Sequence, residues 1–193
     1  LALQQFAELY PDEVKPAVRW LPFQLNPDLP ENGISRADYI FRKFGERDSS
    51  RYKRVAMVGK SVGLDMAFDK ITVQPNTVKV HRLIHRAGEL GKQDAVAEAL
   101  FRAYFVEGAN LTDSAVLAGY AAQAGMDGAE VAAYLDSDAD ADLIRSADSE
   151  ARQIGIEGVP FFIINRTIGI SGAQDPEVLL QAMQQAREGG GSA

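Results

Sequence analysis

Apolar residues recur along this chain mostly at helical spacing, and at strand spacing in two stretches near its ends. Ala2, Leu3, Phe6, Leu9 and Tyr10 predict an amphipathic helix over residues 1–10, ended by Pro11. From Val18 to Phe23, Val18, Trp20 and Pro22 alternate with Arg19, Leu21 and Phe23. Residues 17–23 therefore predict a strand apolar enough to be buried on both faces. Residues 24–35, carrying Asn26, Pro27, Pro30, Asn32 and Gly33, predict a loop in which Asn26 is better explained as a turn residue than as a ligand contact.

From residue 36 to 153 the helical period takes over. Tyr39, Ile40 and Phe44 mark one face, Tyr52, Val55, Ala56 and Val62 a second, and Val80, Leu83, Ile84 and Ala87 a third. Ala97, Leu100, Phe101, Tyr104 and Phe105 follow, then Val116, Leu117, Tyr120 and Ala124, and further on Leu143, Ala147 and Ala151. Asn76, Asp113, Asp127 and Asp138 are candidate N-caps, and Gly45, Gly63, Gly91, Gly108 and Gly125 candidate helix ends.

The second strand region begins at a proline. Pro160 heads the apolar run Phe161-Phe162-Ile163-Ile164, and a proline lacks the N–H a ladder needs, so it must open its strand or lie at an edge. A trans strand-entry proline and a cis bond that turns the Val159 backbone outward both fit this position. Arg166-Thr167 can turn the chain, Ile168–Ser171 can return as a strand, and Asp175-Pro176 can open a final helix with Leu179, Ala182, Met183 and Ala186 inward. Residues 189–193 are a glycine-rich flexible tail.

Composition narrows the possibilities. The 193 residues are 46% hydrophobic and 24% charged, an ordinary globular balance. Acidic residues outnumber basic ones 27 to 20, for a formal charge of −7, which argues against a broad nucleic-acid or anionic-membrane footprint. There is no cysteine, so these residues contain no thiolate nucleophile, disulfide or thiolate metal site.

Several motif-like spacings do not carry the chemistry they suggest. Gly59-Lys60-Ser61 ends like a phosphate loop, but Arg54 stands where the first glycine belongs. His81 and His85 are one helical turn apart, yet Arg82 occupies the place of a zinc protease's glutamate and there is no third histidine. Asp136, Asp138, Asp140 and Asp142 alternate like a calcium loop, but Ala141 and Ala147 replace its glycine and final glutamate. No metal site is expected. The stripe Phe101, Tyr104 and Phe105 fits a helix core better than a ligand cage.

One resemblance does carry chemistry. Gly158-Val159-Pro160-Phe161-Phe162 followed by Ser171-Gly172-Ala173-Gln174 resembles the C-terminal motif of the DsbA-like thioredoxin superfamily, in particular its FrnE-like branch. Residues 19–28, residues 76–83 and Leu100–Phe105 extend the likeness in the same order. The resemblance implies an α/β, thioredoxin-like fold made of residues 1–35 and 154–188, with an inserted all-helical subdomain over 36–153. It implies that strand 17–23 lies beside strand 160–164 and that Val159-Pro160 is cis. It also places a Cys-x-x-Cys just upstream of Leu1, so no catalytic residue is assigned within the chain.

The activity implied is thiol–disulfide oxidoreduction or isomerisation on protein or small-molecule thiols and disulfides, in the cytoplasm, without a bound cofactor. Substrate would meet Val159, Pro160, Phe161, Ser171, Gly172 and Gln174, with Asn26 and His81 as weaker candidates. A related branch, resembling 2-hydroxychromene-2-carboxylate isomerase, uses glutathione as cosubstrate, held by N–H groups of Val159 and of residues 171–174. A non-redox thioredoxin-like peptide-binding module is the alternative from another class.

Overall fold

The computed structural model describes residues 1–13, 15–45 and 52–189. It divides into two compact units, residues 19–149 and residues 1–18 with 150–193.

The larger unit is built on helices. After a short strand β1 (Ile34–Ser35) come α2 (Arg36–Phe44) and α3 (Lys53–Ser61). Strand β2 (Val73–Gln74) follows, then α4 (Val78–Glu89), α5 (Gln93–Arg102), α6 (Ser114–Gln123), α7 (Gly128–Asp136) and α8 (Ala141–Gln153), the last running past the unit's limit. Helices α4 to α7 close on a common core in which Leu83, Ala87, Val96, Leu117, Ala121 and Leu135 are fully buried. The spacing of these residues on each helix is the amphipathic stripe the sequence displays, and burying each large aliphatic side chain contributes about 1.5–3 kcal/mol.

Helix boundaries follow local chemistry. Asp113 Oδ1 accepts from the Ala115 N–H at 2.8 Å, and Asp127 Oδ1 from the Ala129 N–H at 2.9 Å, capping α6 and α7. Asn76 Oδ1 accepts from the Val78 N–H at the start of α4. Asp138 is not the cap of α8, which begins three residues later at Ala141, after Asp140 in a left-handed conformation. Helix α5 runs into a π-helical turn, Ala103–Glu107, ended by Gly108 at φ +73. A Cβ there would lie 2.6 Å from the Lys70 carbonyl oxygen, so this end requires glycine for space as well as for its dihedral angle.

Residues 17–23 correct the sequence expectation. Among the described residues they form no ladder, and the sheet containing Phe161 has two strands, neither of them drawn from this segment. Side chains take the backbone bonds that a neighbouring strand would have taken. The Trp20 N–H donates to Gln93 Oε1 at 3.0 Å, Gln93 Nε2 donates back to the Trp20 carbonyl at 3.2 Å, and the Gln24 N–H donates to Asp148 Oδ1 at 2.6 Å. The Trp20 indole adds a bond to Asp94 Oδ1 at 2.6 Å.

A second correction concerns α3. Val55 and Val62 were expected on its buried face, but they are exposed; Gly59 is the buried residue, packed beside Leu64 and Met66.

The smaller unit holds α1 (Ala2–Leu9), the antiparallel hairpin β3 (Phe161–Ile164) and β4 (Ile168–Ser171), and α9 (Pro176–Gly189). Helix α1 packs on α9 through an aromatic and charged clasp. Gln184 Nε2 donates to the Tyr10 hydroxyl, Arg187 Nε donates to Glu13 Oε1 at 2.5 Å, and the Arg187 guanidinium lies 4.4 Å from the centre of the Tyr10 ring.

Candidate functional site

The hairpin and the residues on either side of it gather six of the eight candidate residues. The register pairs Phe161 with Ser171 and Phe162 with Ile170, and the turn between the strands puts Asn165 and Arg166 at positive φ. Beyond the last ladder pair, the Gly172 N–H donates to the Pro160 carbonyl at 2.9 Å. Pro160 and Gly172 therefore face each other at the hairpin's open end, with Gly172 at φ +83. The Val159–Pro160 bond is cis.

Val159, directly ahead of this end, is half exposed, and among the described residues its N–H and C=O make no hydrogen bond. Phe161 is half-buried, its ring lying over Gly169, where a Cβ would come within 3.1 Å of Cζ. Gly169 was not anticipated as part of the site. Its signal in the sequence is a glycine in the middle of a four-residue strand, which marks a close approach by another group.

Ser171 is exposed. Gln174 Nε2 donates back to the Ser171 carbonyl at 2.8 Å, closing the link between β4 and α9. Of the N–H donors proposed for a glutathione carboxylate, that of Gly172 is already engaged by Pro160.

The two weaker candidates, Asn26 and His81, belong to the helical unit. The Asn26 carbonyl accepts from the Leu29 N–H at 3.3 Å, making it a turn residue. His81 is enclosed, and burial lowers its pKa to about 4, against the opposing influence of a hydrogen bond to the Phe23 backbone and the negative charge of Asp148. Its imidazole is therefore neutral at pH 7, and Nε2 finds no hydrogen-bond partner among the described residues. His85, one turn on, is 3.9 Å from Glu89 instead. Among the described residues, no group of three or more His, Cys, Asp or Glu side chains is placed to hold a metal ion, and no helix is long and apolar enough to cross a membrane.

A proline-headed hairpin backed by a C-terminal helix, in a chain that also carries a large helical unit, defines a class. The sequence model of the DSBA-like thioredoxin domain matches residues 1–184, and the chain belongs to that family of thiol–disulfide oxidoreductases. Its fold is the DsbA-like thioredoxin fold with a helical insertion.

Among particular proteins, the probable DsbA oxidoreductase SCO1869 from Streptomyces coelicolor is similar in structure. The TM-score is 0.83 at 29% identity, covering 97% of this chain and 82% of that one. The uncharacterized protein YwbO of Bacillus subtilis (strain 168) is 26% identical over 172 residues, 89% of this chain and 82% of its own length.

Proposed function

We propose that this protein carries out thiol–disulfide exchange as a DsbA-type enzyme of the FrnE-like branch, with Val159 as the backbone docking point for an extended substrate. The observation that carries this reading is the Val159 peptide group: half exposed, unpaired among the described residues, and separated from β3 by Pro160 alone. An extended peptide or a thiol-bearing ligand gains a pair of main-chain hydrogen bonds there without displacing any existing one.

The 193 residues hold no cysteine, so the reacting dithiol has to come from outside this sequence. The family supports a Cys-x-x-Cys preceding α1, where a helix N-terminus lowers a thiol's pKa and increases its thiolate fraction. Exchange then proceeds by attack of that thiolate on a substrate disulfide, giving a mixed disulfide and releasing the other substrate sulfur as thiolate. The second cysteine resolves the mixed disulfide, so that the enzyme dithiol is oxidised and the substrate reduced; the reverse sequence oxidises a substrate dithiol. Protein and small-molecule disulfides are the proposed substrates, in the cytoplasm, where such exchange is catalytic rather than structural.

The test uses the protein expressed with the coding sequence that precedes Leu1. Reduction of insulin, together with new hydrogen-exchange protection of the Val159 N–H in a trapped mixed disulfide with a peptide, is the expected result. A preceding segment without a dithiol, together with peptide binding at Val159, would leave a non-redox peptide-binding module. Tight calorimetric binding of glutathione with no action on insulin would transfer the protein to the glutathione-dependent isomerase branch.

A further inference from the structure

Phe101 departs from the core role that its stripe suggests. Tyr104 is buried and Phe105 half-buried, but Phe101 is 48% exposed, and beside it stands Trp20, 41% exposed. The Trp20 and Phe101 ring centres are 5.8 Å apart with their planes inclined at 55°, and the Phe105 ring lies nearly parallel to that of Phe101 at 6.3 Å. Three rings thus form a continuous aromatic strip on the helical unit, two of them open to solvent.

Carboxylates share this strip. Asp94, Glu98, Phe101 and Phe105 follow one another at spacings of four, three and four residues, which is a single helix face. Two contacts bear the arrangement out: Phe105 stacks on Phe101, and the Trp20 indole N–H donates to Asp94 Oδ1 at 2.6 Å. Among the described residues Asp94 Oδ2 accepts no hydrogen bond, and neither Asp94 nor Glu98, both exposed, is ion-paired. Arg102, the one basic residue of α5, lines a cleft on the α6 side with Glu107 and Tyr120. Glu98 borders that cleft too, and so marks the edge of the strip.

We infer that this strip is a docking site for an arginine side chain of a basic polypeptide segment, with the guanidinium lying on the Trp20 and Phe101 rings and donating to Asp94 and Glu98. Aromatic faces attract cations, and the nearby carboxylates select a cation that can also donate hydrogen bonds. A planar guanidinium stacks and donates at once, an ammonium is a point charge on a flexible stem, and a quaternary ammonium has no donor. The net charge of −7 adds a long-range attraction for a basic partner. An anionic bilayer is repelled by the same two carboxylates. The strip lies wholly within residues 19–149 and does not depend on the exchange reaction proposed above.

Because Trp20 is the only tryptophan, its emission reads the site directly. The test titrates the protein at low ionic strength with a blocked peptide of glycine, serine and arginine that contains no cysteine or aromatic residue. Expected are a saturable change in tryptophan emission that weakens as salt is raised, a weaker response to the lysine peptide, and none to the peptide in which neutral citrulline replaces arginine. Glu98→Gln and Phe101→Ala should each weaken binding by about two- to fivefold. If Phe101→Ala unfolds, Glu98→Gln, exposed and without a partner among the described residues, decides alone. An equal response to the citrulline peptide, no saturation by the arginine peptide, or unchanged affinity in Glu98→Gln with the parent's circular dichroism would overturn the proposal. So would a tryptophan response to phosphatidylcholine vesicles alone, or a dimer in sedimentation that Glu98→Arg dissolves, since a lipid headgroup or a second copy would then be the occupant.

Discussion

Arg82 on α4 reaches across to the end of α7 and holds Tyr134 in two ways: Nη2 donates to the Tyr134 carbonyl at 2.7 Å, and the guanidinium lies 4.9 Å from the centre of the same residue's ring. Three further donors go to the Leu135, Ser137 and Ala139 carbonyls, the last at 2.6 Å. A helix C-terminus leaves carbonyls without partners and concentrates partial negative charge, and here a single buried cation answers both needs. The Tyr134 hydroxyl, 2.8 Å from Asp140 Oδ2, extends the arrangement to the start of α8.

Arg82→Met should therefore cost about 3–5 kcal/mol of stability, because it strands several buried carbonyls at once. Arg82→Lys should also be clearly destabilising, since a point charge cannot fork among four acceptors. Urea denaturation measures both. A shift no larger than that of an exposed control such as Arg145→Met would show that water substitutes for the guanidinium.

His81 makes stability pH-dependent. Its folded pKa of about 4 lies below the ordinary 6.5, so between these values the unfolded chain binds a proton that the folded chain does not. The stabilising effect of keeping it neutral is complete above pH 6.5 and is lost as the pH falls towards 4, up to about 3 kcal/mol in all. Denaturation midpoints at pH 7 and pH 5 should diverge less in His81→Leu than in the parent. Identical divergence would mean that carboxylates alone carry the acid sensitivity.

Trp20 is the only tryptophan and so reports on its own tether. Asp94→Ala removes the acceptor of the indole N–H and should cost about 1 kcal/mol while lowering the steady-state anisotropy of tryptophan fluorescence. Unchanged anisotropy would assign the ordering of this side chain to the Phe101 ring, whose centre is 5.8 Å away.

Most of the helices were legible because apolar residues recur at helical spacing between local punctuation marks. Leu83 with Ala87 and Ala97 with Leu100 are buried as their spacing requires, and Gly45, Gly63, Gly91, Gly108 and Gly125 all take positive φ. The hairpin was legible for the same reason: Pro160 heads one strand, and a polar turn separates it from its partner.

Periodicity could not tell an unpaired apolar segment from a paired strand. The fate of residues 17–23 rests on Gln93 and Asp148, polar side chains far along the chain whose reach no local pattern encodes. Nor could it choose between faces of α3, where alanine and glycine serve the interior and valines are left outside. His81 and His85 look alike in sequence, and only the burial of the first, against the second's place beside Glu89, separates their surroundings.

The clasp between Tyr10, Glu13, Gln184 and Arg187 has a consequence for synthesis on the ribosome. The helical unit is one uninterrupted run of chain, 19–149, and every residue of its core has been made before the first residue of α9 is added. Helix α1, made earlier, has its partner helix only at the end. At roughly 5–20 residues per second, α1 waits on the order of ten to thirty seconds with its apolar stripe uncovered. That interval makes nascent α1 a segment on which a chaperone would act, and makes the addition of α9 the step that joins it in the unit bearing Val159.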